Sequence, residues 1–163
     1  MSHTLDEIDA QILALLQEDG RIQRNAISEE VGLSVSAVSE RMRKLEAHGI
    51  IQGYHAVLDA KRLRFDITAF IRVGVDGSEH YPQFVDAATA MTEVLEVHSI
   101  TGEGSHVLKI RTENTTSLER FLSRIQALPG VSGTSTSIVL STFKETRTVP
   151  TRPIEVFAPT EEA

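Results

Sequence analysis

Up to about residue 60 the apolar residues of this chain recur at helical spacing. Beyond it they alternate along extended stretches, with two further helical stretches set between them. No single layer satisfies both periods, so the chain is expected to fold as two differently built units joined near that position. Thr4 with Glu7 three residues on has the spacing of a capping box. It opens a first helix whose apolar stripe is Leu5, Ile8, Ile12, Leu15 and Leu16. Asp19 and Gly20 end that helix, the glycine being suited to a left-handed terminus. A second, short helix fits Arg24 to Val31. After a tight turn at Gly32 and Leu33, Ser34 is placed to cap a third helix that runs to about His48, where Gly49 closes it. Ile50 to Leu58 reads as a strand broken by a glycine, and Asp59 to Arg64 as a charged joint.

The second unit reads as strand, helix, strand, strand, helix, strand. Ile67, Ala69, Ile71, Val73 and Val75 share one face of the first strand. A helix follows from about Pro82 to Met91 with a stripe of Phe84, Val85, Ala88 and Met91. Strands at Val94 to Thr101 and His106 to Thr112 flank a turn at Gly102 to Gly104. A second capping box, Thr116 with Glu119, starts a helix carrying Leu118, Phe121, Leu122, Ile125 and Leu128, and Val131 to Phe143 is the last strand. This order is the split βαβ of an α+β, ferredoxin-like domain, with both helices on one face of the sheet. Phe70 and Val107, beside Thr68, Arg72, Lys109 and Arg111, point to the other face. That mixture reads as a partner surface more than a solvated one.

Sixteen basic and twenty-three acidic side chains leave a net charge of −7, and there is no cysteine. Disulfide scaffolds and Cys-ligated metals are excluded. Taken whole, the acidity disfavours a polyanionic partner. It is unevenly spread, however: residues 41 to 64 hold six Lys or Arg against two acids, whereas residues 65 to 163 carry a net −5. The longest strongly apolar run, Ile67 to Ile71, ends at Arg72 and falls far short of the roughly 20 residues of a membrane span. With no signal-like start, the expected location is the cytoplasm and no membrane partner is expected.

The second helix, turn and third helix have helix-turn-helix spacing, in which one helix braces another so that its outer face enters a major groove. With Val38, Met42 and Leu45 turned inward, Ser36, Glu40, Arg43, Lys44 and Ala47 turn outward. Val35, Ser36, Ala37, Ser39 and Glu40 are the candidates to meet base edges, Glu40 as an acceptor from a cytosine amino group. Arg43 and Lys44 suit phosphates, which fix register without reading sequence. Arg41 projects beside the core and is expected to brace it by pairing with Glu29 or Glu30 of the second helix. The expected partner is double-stranded promoter DNA.

Two ordered sets of residues carry a family resemblance. Leu5-Asp-Glu-Ile-Asp9, Leu16 to Arg21, Val31-Gly-Leu-Ser34, Val38, Arg41, Leu45-Glu46, Gly49 to Ile51, Gly53-Tyr54 and Leu58-Asp59 resemble the DNA-binding half of the Lrp/AsnC feast/famine regulators. Ala69-Phe70, Thr101-Gly102, Phe121-Leu122, Leu128 to Val131, Thr134, Thr136 and Val139-Leu140 resemble their second half. The resemblance implies a transcriptional regulator with a winged helix-turn-helix at 1–58, a hinge strand and joint through 59–66, and a ferredoxin-like effector-binding and oligomerisation domain at 67–147. A tail at 148–163 holds three of the five prolines and is expected to be extended, with Ile154, Val156 and Phe157 able to dock on a neighbour. It further implies a dimer, assembled as four dimers into an octamer, and an amino-acid effector bound between dimers. Gly102, Glu103, Gly104, Ser105 and His106, with Thr134 and Thr136, would hold that effector. The family's loop often ends in Asp-Tyr, whereas this chain has Ser105-His106, a weaker partner for an ammonium group.

No pair of the six histidines has helical i, i+4 or His-X-His spacing, so neither a metal nor another cofactor is expected. His98 and His106 could meet on paired strands. Two alternatives share the architecture: an enzyme resembling the sirohaem decarboxylases, disfavoured because no acid/base set accompanies those histidines, and an interaction adaptor that has lost DNA binding.

Overall fold

The computed structural model describes residues 3–156, which divide into two compact units. Among these, residues 3–57 with 146–156 make one unit and Leu58–Glu145 the other. In the first, strand β1 (His3–Leu5) leads into helices α1 (Glu7–Glu18), α2 (Arg24–Val31) and α3 (Val35–Ala47). Ile12, Ile27, Val38 and Leu45, one or two from each helix, are fully buried together with Leu5, Leu13 and Met42. Three short amphipathic helices can exclude water only by sharing one core, and this one draws on all three. Gly32 takes the left-handed conformation at φ 68°, which lets the chain reverse between α2 and α3 without a Cβ clash.

The second unit holds β2 (Ile67–Val75), α4 (Tyr81–Thr89), β3 (Val94–Ser99), β4 (His106–Thr112), α5 (Thr115–Gln126) and β5 (Val131–Ile138). The four strands form one antiparallel sheet in the order β3-β4-β2-β5. Its inner face, Ala69, Ile71, Val73, Val75, Leu108 and Ile110, packs on Phe84 and Ala88 of α4 and on Leu118, Phe121 and Ile125 of α5. The alternation read from the sequence is thus the alternation of the pleat. On the outer face the Lys109 ammonium pairs with Glu96 at 3.3 Å and with Glu145, and Glu145 also reaches Arg111 at 3.8 Å. Phe70 lies among these charges, and Leu140 and Phe143, beyond the end of β5, are almost wholly exposed.

Several element boundaries differ from expectation. Asp6, not Thr4, caps α1, exchanging side-chain bonds with the backbone of Asp9, because Thr4 is drawn into β1. Asp19 ends α1 in an extended conformation, so Gly20 has no left-handed role. Asn114 caps α5 through the Ser117 N–H, leaving Thr116 inside the first turn. Residues 51–58 have no ladder partner and form no strand, so neither the hinge strand nor a paired wing is present among the described residues. Residues 59–66 coil through a turn closed by the Phe65 N–H on the Ala60 carbonyl, and they belong to the second unit. The last strand stops at Ile138 rather than Phe143.

The tail departs furthest from its reading. It returns to the first unit, where β6 (Ile154–Val156) pairs antiparallel with β1. The Gln17 side-chain amide acts as a surrogate strand, donating to the Val149 carbonyl at 3.0 Å and accepting its N–H at 2.7 Å. Phe157 lies outside the described residues. Two-stranded ribbons are marginal alone, so the side-chain clasp matters. Gln17→Ala removes two exposed hydrogen bonds at about 0.5–1.5 kcal/mol each. Hydrogen exchange should then speed up at the amides of Val149 and of β6 while those of α2 and the sheet of the second unit keep wild-type rates.

Candidate nucleic-acid interface and effector loop

Helix α3 begins where the Ser34 hydroxyl accepts the Ala37 N–H at 3.2 Å. Burial of Val38, Met42 and Leu45 then fixes its rotation about its own axis. Val35, Ser36, Glu40, Arg43 and Lys44 are exposed, while Ala37 and Ser39 are half-buried at the edge of the same face. The Ser39 hydroxyl donates to the Val35 carbonyl at 2.8 Å, and the Ser36 and Ser34 hydroxyls are 3.0 Å apart. All seven candidate DNA contacts therefore lie on one side of one helix.

The charges on that face are not independent. Arg43 is forked onto Glu40, with Nη2 donating to Oε1 at 2.7 Å and Nε to Oε2 at 3.0 Å. The Lys44 ammonium stands 3.8 Å from the same Oε1. The hydrogen bond from Arg43 holds the Glu40 carboxyl below its ordinary range, and Glu40 in turn raises Arg43.

Arg41 does brace the unit, but against acids other than the expected Glu29 and Glu30. One Nη1 donates at 2.7 Å both to Asp6 and to the buried Asp9. These are the two residues of the α1 capping box, three positions apart, and that spacing was the sequence signal for them. Their hydrogen bonds, Asp9 first, raise the Arg41 guanidinium further. At Asp6, burial pushes the carboxyl up but is outweighed by the Asp9 N–H and by Arg41, and the net shift is downward.

Two further cations near α3 went unnoticed in the sequence. Arg21 and Arg24, from the turn before α2 and its first residue, line a cleft shared with Val35, Met42 and Tyr54. The Tyr54 phenol bonds to Glu46 at 3.1 Å. Conversely, the basic run of residues 41 to 64 is divided between the two units. Arg41 is spent on the brace, and Lys61, Arg62 and Arg64 belong to the other unit, where Arg62 pairs with Asp59 at 3.3 Å.

The loop between β3 and β4 is tied to the sheet through Ser105. Its N–H donates to the Val73 carbonyl at 2.9 Å, and its hydroxyl accepts the Val75 N–H at 3.0 Å. Gly102 and Gly104 both have left-handed φ, 100° and 79°. Glu103 lines a cleft with Arg72, Ile100, Thr101 and Val107 on the outer face of the sheet. Thr134 and Thr136 lie opposite Val73 and Ile71 on the inner face, and Thr134 accepts from the Gln126 amide at 2.8 Å. Within one chain the expected effector residues are therefore divided between the two faces.

His106 is removed from that set. It is 2% exposed, with its ring 4.9 Å from both Tyr81 and Phe84, so burial lowers its pKa and no soluble ligand reaches it in this conformation. His98 pairs with Glu96 on the outer face, so the sheet separates the two histidines. Among the described residues no group of three or more His, Asp or Glu is placed to hold a metal ion, and no helix is long and apolar enough to cross a membrane.

Comparison with known proteins agrees with this geometry. Residues 5–52 match the winged helix-turn-helix DNA-binding model, and residues 68–149 match the Lrp/AsnC ligand binding domain. The chain is 41% identical over 146 residues to the HTH-type transcriptional regulator FL11 of Pyrococcus horikoshii, covering 90% of this chain and 96% of that one. It is similar to a transcriptional regulator of Neisseria meningitidis solved with L-methionine, at 32% identity and a TM-score of 0.86, covering 90% and 97% of the two chains. The feast or famine regulatory protein of M. tuberculosis, also solved with L-methionine, is 32% identical with a TM-score of 0.83, covering 89% of this chain and 98% of that one.

Arg41→Ala should cost about 1–3 kcal/mol, because the buried Asp9 loses its cationic partner. Urea denaturation followed at amides of α1 and α3 measures it. A carboxyl held low in the folded state stabilises fully above its unfolded value and loses that contribution as pH falls through the folded one. The Asp6 share is accordingly complete above about pH 4 and fades below it. In Asp6→Asn the acid side of the stability profile of this unit should be flatter than in wild type.

Proposed function

The chain belongs to the Lrp/AsnC family of transcriptional regulators, and from that premise we propose that it binds promoter DNA through the outer face of α3, under the control of an amino-acid effector held between copies of the chain. The observation that carries the first part is the rotation of α3. Its apolar side is locked in the core while Ser36, Glu40, Arg43 and Lys44 are exposed to solvent, which is what major-groove entry requires. Val35, Ser36, Ala37, Ser39 and Glu40, in the N-terminal half of the helix, are the base-reading set. Arg43 and Lys44 contact phosphates, joined by Arg21 and Arg24. The expected cytoplasmic location suits this partner.

For the effector, the division of the loop and the threonines between two faces favours a site completed by a second copy. Gly102 to Gly104 supply N–H groups for a carboxylate, beside the Ser105 hydroxyl, and Thr134 and Thr136 of another copy supply hydroxyls. Methionine is the first effector to test, since two relatives were solved with it. Self-association uses the outer face of the sheet, where Phe70 is 43% exposed, and the segment after β5, whose Leu140 and Phe143 are 93% and 98% exposed, apolar surface that water alone would leave unfavourably hydrated. Dimers formed there would assemble further, into the octamer of four dimers that the family resemblance implies.

Gel shifts at low salt should show tighter binding to the chain's own promoter than to random duplex. Arg43→Glu combined with Lys44→Glu should abolish it while leaving the light-scattering mass unchanged. Equal affinity for both DNAs would sink the proposal. In thermal scans against the amino acids, an effector present at a hundredfold its Kd stabilises by about 2.7 kcal/mol. A rise with methionine that is lost in Gly104→Val, and no rise with glycine, is the expected pattern.

A further inference from the structure

The forked pair on the outer face of α3 is an unusual arrangement for a DNA-binding surface. A carboxylate that faces a polyanion is repelled by it, and a guanidinium forked onto a carboxylate meets a phosphate as a neutralised pair, with only its remaining N–H groups to offer. Glu40 occupies both Nε and Nη2 of Arg43, at 3.0 and 2.7 Å, and draws Lys44 to 3.8 Å. All three side chains are about half exposed or more, so solvent geometry leaves the pair free to open.

We propose that Glu40 is a removable guard on Arg43, releasing the guanidinium to a phosphate only where the DNA offers Glu40 a donor of its own, the amino group of a cytosine. The proposal rests on α3 being the groove-entering helix and deepens that reading by stating how its specificity arises. At a matching site each group finds a new partner: Glu40 trades the guanidinium for the cytosine amino group, and Arg43 trades the carboxylate for phosphate oxygens. At a site presenting a carbonyl in that place, thymine O4 or guanine O6, the carboxylate meets another acceptor. Opening the pair there costs two charge-assisted hydrogen bonds with no replacement at Glu40. Random DNA is therefore rejected by the same residue that recognises the right base, an arrangement in which discrimination comes from repulsion as much as from attraction. The depressed carboxyl of Glu40 keeps the guard ionised across the physiological range.

The test uses the full chain and two duplexes, its own promoter and a random sequence, titrated over a range of salt. Glu40→Gln keeps the shape and removes the charge. It should bind random duplex several-fold more tightly, with a salt slope steeper by about 1, the signature of one additional phosphate contact. Its ratio of promoter to random affinity should fall. Glu30→Gln, an equal change in net charge on the exposed side of α2, should do neither, and Arg43→Ala in the Glu40→Gln background should cancel the gain. Wild-type affinity and slope for Glu40→Gln on random DNA would overturn the guard, as would an equal gain from Glu30→Gln. A wild-type chain that fails to prefer its promoter would instead overturn the function proposed above, whereas the slope on random DNA still reads the guard.

Discussion

The DNA-binding unit hangs on one guanidinium. Arg41 joins the third helix to the N-terminus of the first through Asp6 and Asp9, the same two residues that exchange capping bonds with each other. A capping box by itself satisfies backbone N–H groups within one helix. Adding a cation from another helix turns that local device into a tertiary one: the start of α1, the rotation of α3 and the neutralisation of a buried carboxylate become one event. The exposed face of α3 is then as fixed as its buried face, because a helix held at its core and at its shoulder has no rotational freedom left.

That rotation sorts three cations that are nearly neighbours in sequence. At 100° per residue Arg41 falls beside the core, while Arg43 and Lys44 turn away from it. The first is a structural charge, the second is held by Glu40, and only the third keeps most of its field. Counting charge along the sequence therefore overstates what the helix presents to a phosphate. Much of the apparent surplus at residues 41 to 64 is either neutralised within the first unit or belongs to the second. A modest net field is compatible with a regulator that must leave random DNA readily and acquire affinity from several copies acting together.

What was legible in the sequence was whatever rests on period. The three helices, the alternation of β2 and β4, the order of the ferredoxin-like unit and the five outward positions of α3 all follow from spacing, since apolar side chains have one place to go. What was not legible depends on choices between chemically similar neighbours. Thr4 and Asp6 are both competent caps, as are Asn114 and Thr116, and the decision rests on whether the preceding residue is pulled into a strand or turn. The partner of Arg41 was expected on α2, at Glu29 or Glu30, whereas the packing of α3 against the start of α1 gives it Asp6 and Asp9. The return of the tail to β1 could not be read at all. Its recognition is by backbone and by the Gln17 amide, and neither leaves a pattern in side-chain type. His106 misled for a different reason: its neighbours in sequence are loop residues, but strand alternation places it one step further on, facing the core.

That single step also explains why the loop can be both exposed and rigid. Val73 sits in one row of the sheet between His106 and Thr134, and its carbonyl accepts both the N–H and the hydroxyl of Ser105. Gly104 approaches the same carbonyl so closely that a Cβ there would stand 3.1 Å from the oxygen, in a backbone conformation that already disfavours any side chain. The loop is thus pinned at its C-terminal end to the middle of β2 and open at Gly102, where a Cβ would meet nothing within 4 Å. The Ser105 carbonyl accepts the Ile100 N–H at 3.0 Å, so the loop is tied to its own hairpin as well as to β2. The inner side chains of that strand, Ile71 and Val73, are the core of the unit. Because a close-packed core yields by shifting elements rather than by deforming them, this end of the loop moves only with the sheet. Ser105 makes this attachment, and the hydroxyl that is a poorer partner for an ammonium than the family's aspartate serves here as an anchor on the strand.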